Sequence, residues 1–252
     1  MKHDRSIWAG SGLAPCRYGA SRLLFRGPER RLDGDYVAAV GGGLTLGRGV
    51  AEPFPALLEA ELGEVCVNLG QPGASVEAFL ADGEAMAACR GARAVVLEAV
   101  GVGNLSNRLY SVHPRRNDRF LRASPVLRAL FPEMDFAEVC FTGHLLRGLR
   151  EAAPDRFDIV REELRIAWIA RMRGFLDLVG PRVVLLWRPE EGGGEPVTVT
   201  EGMVEALRPR VAGVVALPGV GMGEDAHRAV AAALVGPVRA CLEEARAAVA
   251  AS

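Results

Sequence analysis

Five short runs of mostly apolar residues, each of strand length and most of them followed by a stretch with helical spacing, constrain this chain more than any other feature. They are Asp35 to Val40, Glu64 to Gly70, Ala92 to Val100, Arg182 to Trp187 and Gly213 to Leu217. A strand with one wet face alternates polar and apolar residues; these runs scarcely alternate, so both of their faces must be buried. Such strands separated by helices predict a parallel sheet covered on both sides, a three-layer α/β/α fold with five strands. Helices are expected over Phe54 to Leu62 behind two prolines, from a capping Ser75 to about Cys89, over Met134 to Arg150 and Asp155 to Val179, near Thr200 to Leu207, and from Glu224 onward. No linker or repeat interrupts the pattern, and the glycine-rich stretch Glu191 to Glu195 is long enough only for a loop, so residues 1–252 read as one domain.

Composition narrows the partners. Half of the residues are hydrophobic and 24% are charged, as in an ordinary globular protein. The net charge is -1, and the 30 basic residues include a single lysine, Lys2, so almost every positive charge is a planar guanidinium suited to carboxylate, sulfate or phosphate. A neutral chain is a poor match for nucleic acid. No apolar run approaches the ~18 residues of a membrane helix, and the N-terminal Met1 to Gly19 lacks the apolar centre of a secretory signal, which points to the cytoplasm and away from a membrane. The five cysteines are odd in number and include no C-x-x-C pair, so neither a disulfide framework, a metal site nor a cofactor is expected, and Cys66 and Cys89 read as small core residues.

In parallel sheets ligands bind at the carboxyl ends of the strands, and three such ends carry glycine-rich turns. Gly41-Gly42-Gly43-Leu44-Thr45 follows the first strand, Asn68-Leu69-Gly70-Gln71-Pro72-Gly73 closes the second, and Gly101-Val102-Gly103-Asn104 follows the third; Glu224-Asp225-Ala226-His227 opens the last helix. In order and spacing these blocks resemble those of SGNH (GDSL) hydrolases, whose sheet is SGNH/flavodoxin-like. The resemblance implies acyl transfer: Gly70 and Asn104 would donate to the oxyanion, His227 would be the general base, and Glu224, three residues earlier, would orient it. Aligned on G-D-S-L-T, however, Gly43 stands where the nucleophilic serine belongs. Thr45 is the nearest hydroxyl. Read without the resemblance, Gly70 and Asn104 serve their turns, and a histidine heading a helix is as readily a surface residue as a base.

Between Arg108 and Arg128 stand six arginines and one acid, Asp118. The segment, an arginine-rich insertion at about 105–132, is expected to be irregular and starts on the ligand-binding side of the sheet. It is either an anion site built on Arg108, Arg115, Arg116 and Arg119, or a solvated loop whose arginines pair with acids elsewhere. Leu24-Phe-Arg-Gly-Pro28, Val112-His-Pro-Arg-Arg-Asn-Asp-Arg-Phe120 and Leu127-Arg-Ala-Leu-Phe-Pro-Glu133 resemble an uncharacterised bacterial family, a domain of unknown function with SGNH-like organisation. Three functions follow. The first is a serine-less relative that binds a small anionic or glycan-linked ligand in the old pocket. The second is an acyl esterase or acyltransferase using His227 with water or Thr45. The third is a protein-interaction module. The oligomeric state is not legible in the sequence.

Overall fold

The computed structural model describes residues 14–189 and 196–250; the glycine-rich loop Glu191 to Glu195 and the first thirteen residues lie outside the described residues. Two short strands, β1 (Pro15–Cys16) and β2 (Phe25–Arg26), pair antiparallel ahead of the main fold. The central sheet consists of β3 (Tyr36–Gly41), β4 (Val65–Gly70), β5 (Ala94–Glu98), β8 (Val183–Trp187) and β9 (Gly213–Ala216), all parallel and ordered β4-β3-β5-β8-β9. These are the five predicted strands, each within two residues of its expected ends. Four of the five have at least four buried positions, because helices cover both sheet faces.

On one face Val37, Ala39, Val96 and Leu186 pack against α2 (Phe54–Leu62) and the long C-terminal helix α9 (Glu224–Ala250). On the other face Ala38, Val40, Val95, Leu97 and Leu185 pack against α3 (Val76–Leu80), α4 (Gly83–Gly91), α6 (Thr142–Ala152) and α7 (Pro154–Val179). The large buried side chains Trp168, Phe157 and Phe175 all come from α7. The result is the expected three-layer α/β/α arrangement. The remaining helices are the single turn α1 (Gly43–Leu46), α5 (Pro125–Leu130) and α8 (Glu201–Glu205).

Three local expectations are corrected. The helix expected from Ser75 to Cys89 is two helices, because Asp82 caps a new start by accepting from the Ala85 amide at 3.0 Å. The helix expected over Met134 to Arg150 begins only at Thr142. Asp135 accepts from the Ala137 amide, a local bond that competes with helix, and Phe141 is held as a bridge partner of Arg119. Finally, the arginine-rich segment is ordered as an antiparallel hairpin, β6 (Tyr110–His113) and β7 (Arg116–Ala123), with a shifted register at Ser111 to His113. Its buried Asn117 anchors it: Oδ1 accepts from Ser75 N, Ser75 Oγ and Ala78 N, and so joins β7 to the start of α3. No helix among the described residues is long and apolar enough to cross a membrane.

Candidate functional site

The sheet order places a reversal of winding between β3 and β5, where the crevice outside the strand ends is the usual ligand position of doubly wound folds. Glu98, the last residue of β5, occupies it. Strand alternation turns this carboxylate to the α2/α9 face, where Gly41 lies alongside on β3. A Cβ at Gly41 would come within 2.5 Å of Glu98 Cβ and 2.3 Å of Thr45 Oγ1, so glycine is what admits the carboxylate. Glu98 Oε2 accepts from Gly42 N at 2.8 Å, Thr45 N at 3.2 Å and Thr45 Oγ1 at 2.7 Å. The first turn of α1 therefore wraps around one buried oxygen. The other, Oε1, is buried and has no hydrogen-bond partner among the described residues; Arg188 Nη2, from the residue after β8, stands 3.5 Å away. A carboxylate at 3% exposure is costly to bury without such donors.

Glu98 and Arg188 form part of the lining of a cleft of about 330 Å³ at the carboxyl ends of β5 and β8. Its other walls are Ala99 to Asn104, Asp118 of the hairpin, Phe141 to Gly143 with Leu146 of α6, and Val197 to Val199. The post-β5 turn is fixed by Trp168 Nε1, which donates to Val100 O at 3.0 Å, and by Gly101, whose φ of +75° favours glycine and where a Cβ would come within 2.8 Å of Ala74 O. Three charged side chains line the cleft among the described residues: Glu98, Asp118 and Arg188.

The residues singled out by sequence are divided by this geometry. Asn104 lines the cleft, but its side chain is engaged: Nδ2 donates to Gly73 O at 2.9 Å and Oδ1 accepts from Thr142 Oγ1 at 2.5 Å. Gly70 lies against α1, where a Cβ would be 2.2 Å from Leu46 N, and its amide donates to Asn68 Oδ1 at 2.9 Å. Thr45 is fully buried, with its hydroxyl on Glu98. Gly43 has room: a Cβ there meets only Met222 Cε, at 3.4 Å.

His227 is also fully buried, stacked on Phe54 with ring centroids 6.2 Å apart. Its Nδ1 accepts the Phe54 amide at 2.9 Å, so the neutral ring carries its proton on Nε2, which is buried without a partner among the described residues. Burial, and then the charges of Arg26 and Arg188, hold its pKa below the ordinary histidine value. Glu224 is exposed, 3.8 Å from Arg228, while the position an orienting acid would take on His227 is filled by the Phe54 amide. Gly43, Gly70, Thr45, His227 and Glu224 are thus outside the cleft lining, and only Asn104 is within it.

The arginines divide as well. Arg108 is bound to the buried Glu163, whose carboxylate accepts both Nε at 2.7 Å and the Arg108 backbone amide at 2.9 Å. The amides of Arg115 and Arg116 close the hairpin turn on His113 Nδ1, at 3.2 and 3.3 Å. Arg119 lies over the Phe141 ring, 4.7 Å from its centroid. None of the four lines the cleft. The cation that does, Arg188, and the buried Glu98 escaped sequence reading, although a lone carboxylate inside an apolar strand is a signal, since burial obliges it to find donors.

Among the described residues no cluster of His, Cys, Asp or Glu has the arrangement to hold a metal ion, and the described cysteines are free. Burial pushes the Cys66 and Cys89 thiols up to about 12, which fits inert core residues.

No curated protein and no solved structure matches the chain. A family model described as a domain of unknown function (DUF6473) matches residues 1–248, and the chain belongs to that family.

Proposed function

We propose that this chain is a binding protein for a small hydroxyl-bearing ligand, of saccharide or glycan-linked type, held in the cleft between the ends of β5 and β8. The observation that carries the reading is Glu98, a cleft-lining residue at 3% exposure whose Oε2 accepts from three donors, and whose buried Oε1 has no hydrogen-bond partner among the described residues, with Arg188 Nη2 3.5 Å away. An acceptor kept in this state suits a ligand that brings its own O–H or N–H donor. The charge balance favours a hydroxylated over an anionic ligand, because an anion would meet two carboxylates and a single guanidinium, which stands 3.5 Å from one of them. The arginines of the hairpin supply no charge to the lining.

The test is calorimetric titration of the intact chain with sorbitol, methyl glucosides and, separately, sulfate, each repeated on Glu98→Gln. The reading expects binding of a hydroxylated probe that Glu98→Gln weakens at least tenfold. Sulfate binding that is lost on replacing Arg115, Arg116 and Arg119 by alanine, with no response to any hydroxylated probe, would overturn it.

A further inference from the structure

Phe141 stands out among the residues lining the cleft. The residue is 42% exposed, although it belongs to a well-fixed stretch of backbone. Phe141 bridges Arg119 of β7, the Phe120 amide donates to Cys140 O at 3.1 Å, and Phe141 O accepts from Leu145 N at 3.0 Å as α6 begins. A side chain on so constrained a backbone has little freedom to fold away from solvent. The Arg119 guanidinium lies over one face of the ring, and its Nε is buried without a hydrogen-bond partner among the described residues, so the group is committed to the ring rather than to an acid. With one ring face covered by Arg119, Phe141 still lines the cleft and stays partly exposed.

The cleft also carries hydrogen-bonding and charged side chains, among them Thr142, Asn104, Thr198, Asp118, Arg188 and Glu98. An aromatic side chain in a cleft of about 330 Å³ that mixes aliphatic with hydrogen-bonding and charged residues matches a molecule with one apolar face and hydroxyls around its rim. A pyranose ring has that construction: its axial C–H bonds form an apolar patch that lies on an aromatic face, while its equatorial hydroxyls radiate toward donors and acceptors. An acyclic polyol has the hydroxyls without the patch.

We infer that Phe141 is the stacking platform for a pyranose ring bound in this cleft, with Arg119 as the positioning residue that holds the aromatic ring in place. This inference rests on the hydroxyl-ligand reading of the cleft and narrows it to a ring class. It makes Phe141 the residue that separates cyclic from open-chain ligands.

Saturation-transfer NMR on the full chain tests it, with methyl pyranosides of the gluco, galacto and manno series, N-acetylglucosamine, and sorbitol as the ring-less control. At least one pyranoside is expected to bind with transfer concentrated on the C–H protons of one ring face. Its affinity is expected to fall about tenfold in Phe141→Ala and in Phe141→Leu, which keeps apolar volume but has no aromatic face, and to be retained in Phe141→Trp. Arg119→Ala is expected to weaken it less, while the transfer pattern broadens over both ring faces. The thermal midpoint of each variant reports whether it folds; Phe141→Leu and Phe141→Trp provide the comparison if the alanine variant does not. Pyranoside binding that is lost in Glu98→Gln but unchanged in Phe141→Ala and Phe141→Leu would overturn the platform and leave the cleft reading standing. Sorbitol bound as tightly as the pyranosides would do the same. Absence of binding by every probe would overturn both.

Discussion

Two neighbouring regions at the carboxyl end of the same sheet have opposite characters. The glycine turn after β3, with α1, Gly70 and His227 around it, is packed solid: Thr45 and His227 are fully buried, and Gly70 abuts the backbone of Leu46. The crevice between β5 and β8, one strand away, is hollow and lined by aliphatic, polar and charged residues together. Most of the motif-bearing residues are in the first region, while Asn104 and its glycine turn line the cleft in the second. Glu98 connects them, one oxygen serving the turn and the other left near Arg188 and the cleft. A glycine-rich block after strand one can thus be scaffold for a carboxylate on the adjacent strand, with polar residues whose hydrogen bonds are spent inside the protein.

The contrast is sharpest at its glycines. Gly70→Ala puts a Cβ within 2.2 Å of the Leu46 amide nitrogen, a backbone contact that cannot swing aside, and is expected to cost about 3 kcal/mol or more. Chemical denaturation measures it; a variant as stable as the parent would show that the packed region yields. Thr45→Val keeps volume but removes the hydroxyl donor from Glu98, for an expected loss of about 1.5–3 kcal/mol. Were Thr45 a nucleophile and not a support, the loss would appear in ester turnover instead of in the denaturation midpoint.

His227 supplies a pH test. Its pKa is lowered in the folded chain by burial and by Arg26 and Arg188, so below the unfolded value of about 6.5 the unfolded chain binds the extra proton first. Its contribution to stability is therefore complete above about pH 6.5 and is lost as pH falls through the folded value. Replacing His227 by glutamine, which can still accept the Phe54 amide, is expected to flatten that part of the stability profile; an unchanged slope would mean that other groups produce it.

The smallest effect is expected at Gly43, where a Cβ meets only Met222 Cε at 3.4 Å. Gly43→Ser should change stability by no more than about 0.5 kcal/mol. It should also create no turnover of p-nitrophenyl acetate, because His227 accepts at Nδ1 and carries its proton on Nε2, the reverse of what a base beside a serine requires. Turnover in this variant that His227→Gln removes would place the catalytic frame in the packed region after all.

How much was legible follows from the range of the forces involved. Two-sided burial of a strand is recorded in its own five or six residues, and each of the five sheet strands was recoverable from its apolar run. Ser75, Asp82 and Asn117 show where legibility fades. Ser75 as a helix cap is local and was readable; Asp82 as a second cap divided a helix that periodicity alone had joined. Asn117 bonds to residues 39 to 42 positions away, which no local pattern records. The arginines read as one patch in sequence, yet Glu163 takes Arg108 and Phe141 takes Arg119.

The sequence by itself determined the layers, the strand and helix order, and the family, because hydrophobic periodicity and turn residues act over a few positions. Tertiary structure alone decided which polar groups share a cavity. Glu98 and Arg188 are 90 positions apart and meet because β5 pairs in register with β8, placing Glu98 opposite Leu186. The electrostatic cost of burying a carboxylate guarantees partners for Glu98, but only the packed sheet determines that those partners are Thr45, Gly42 and Arg188.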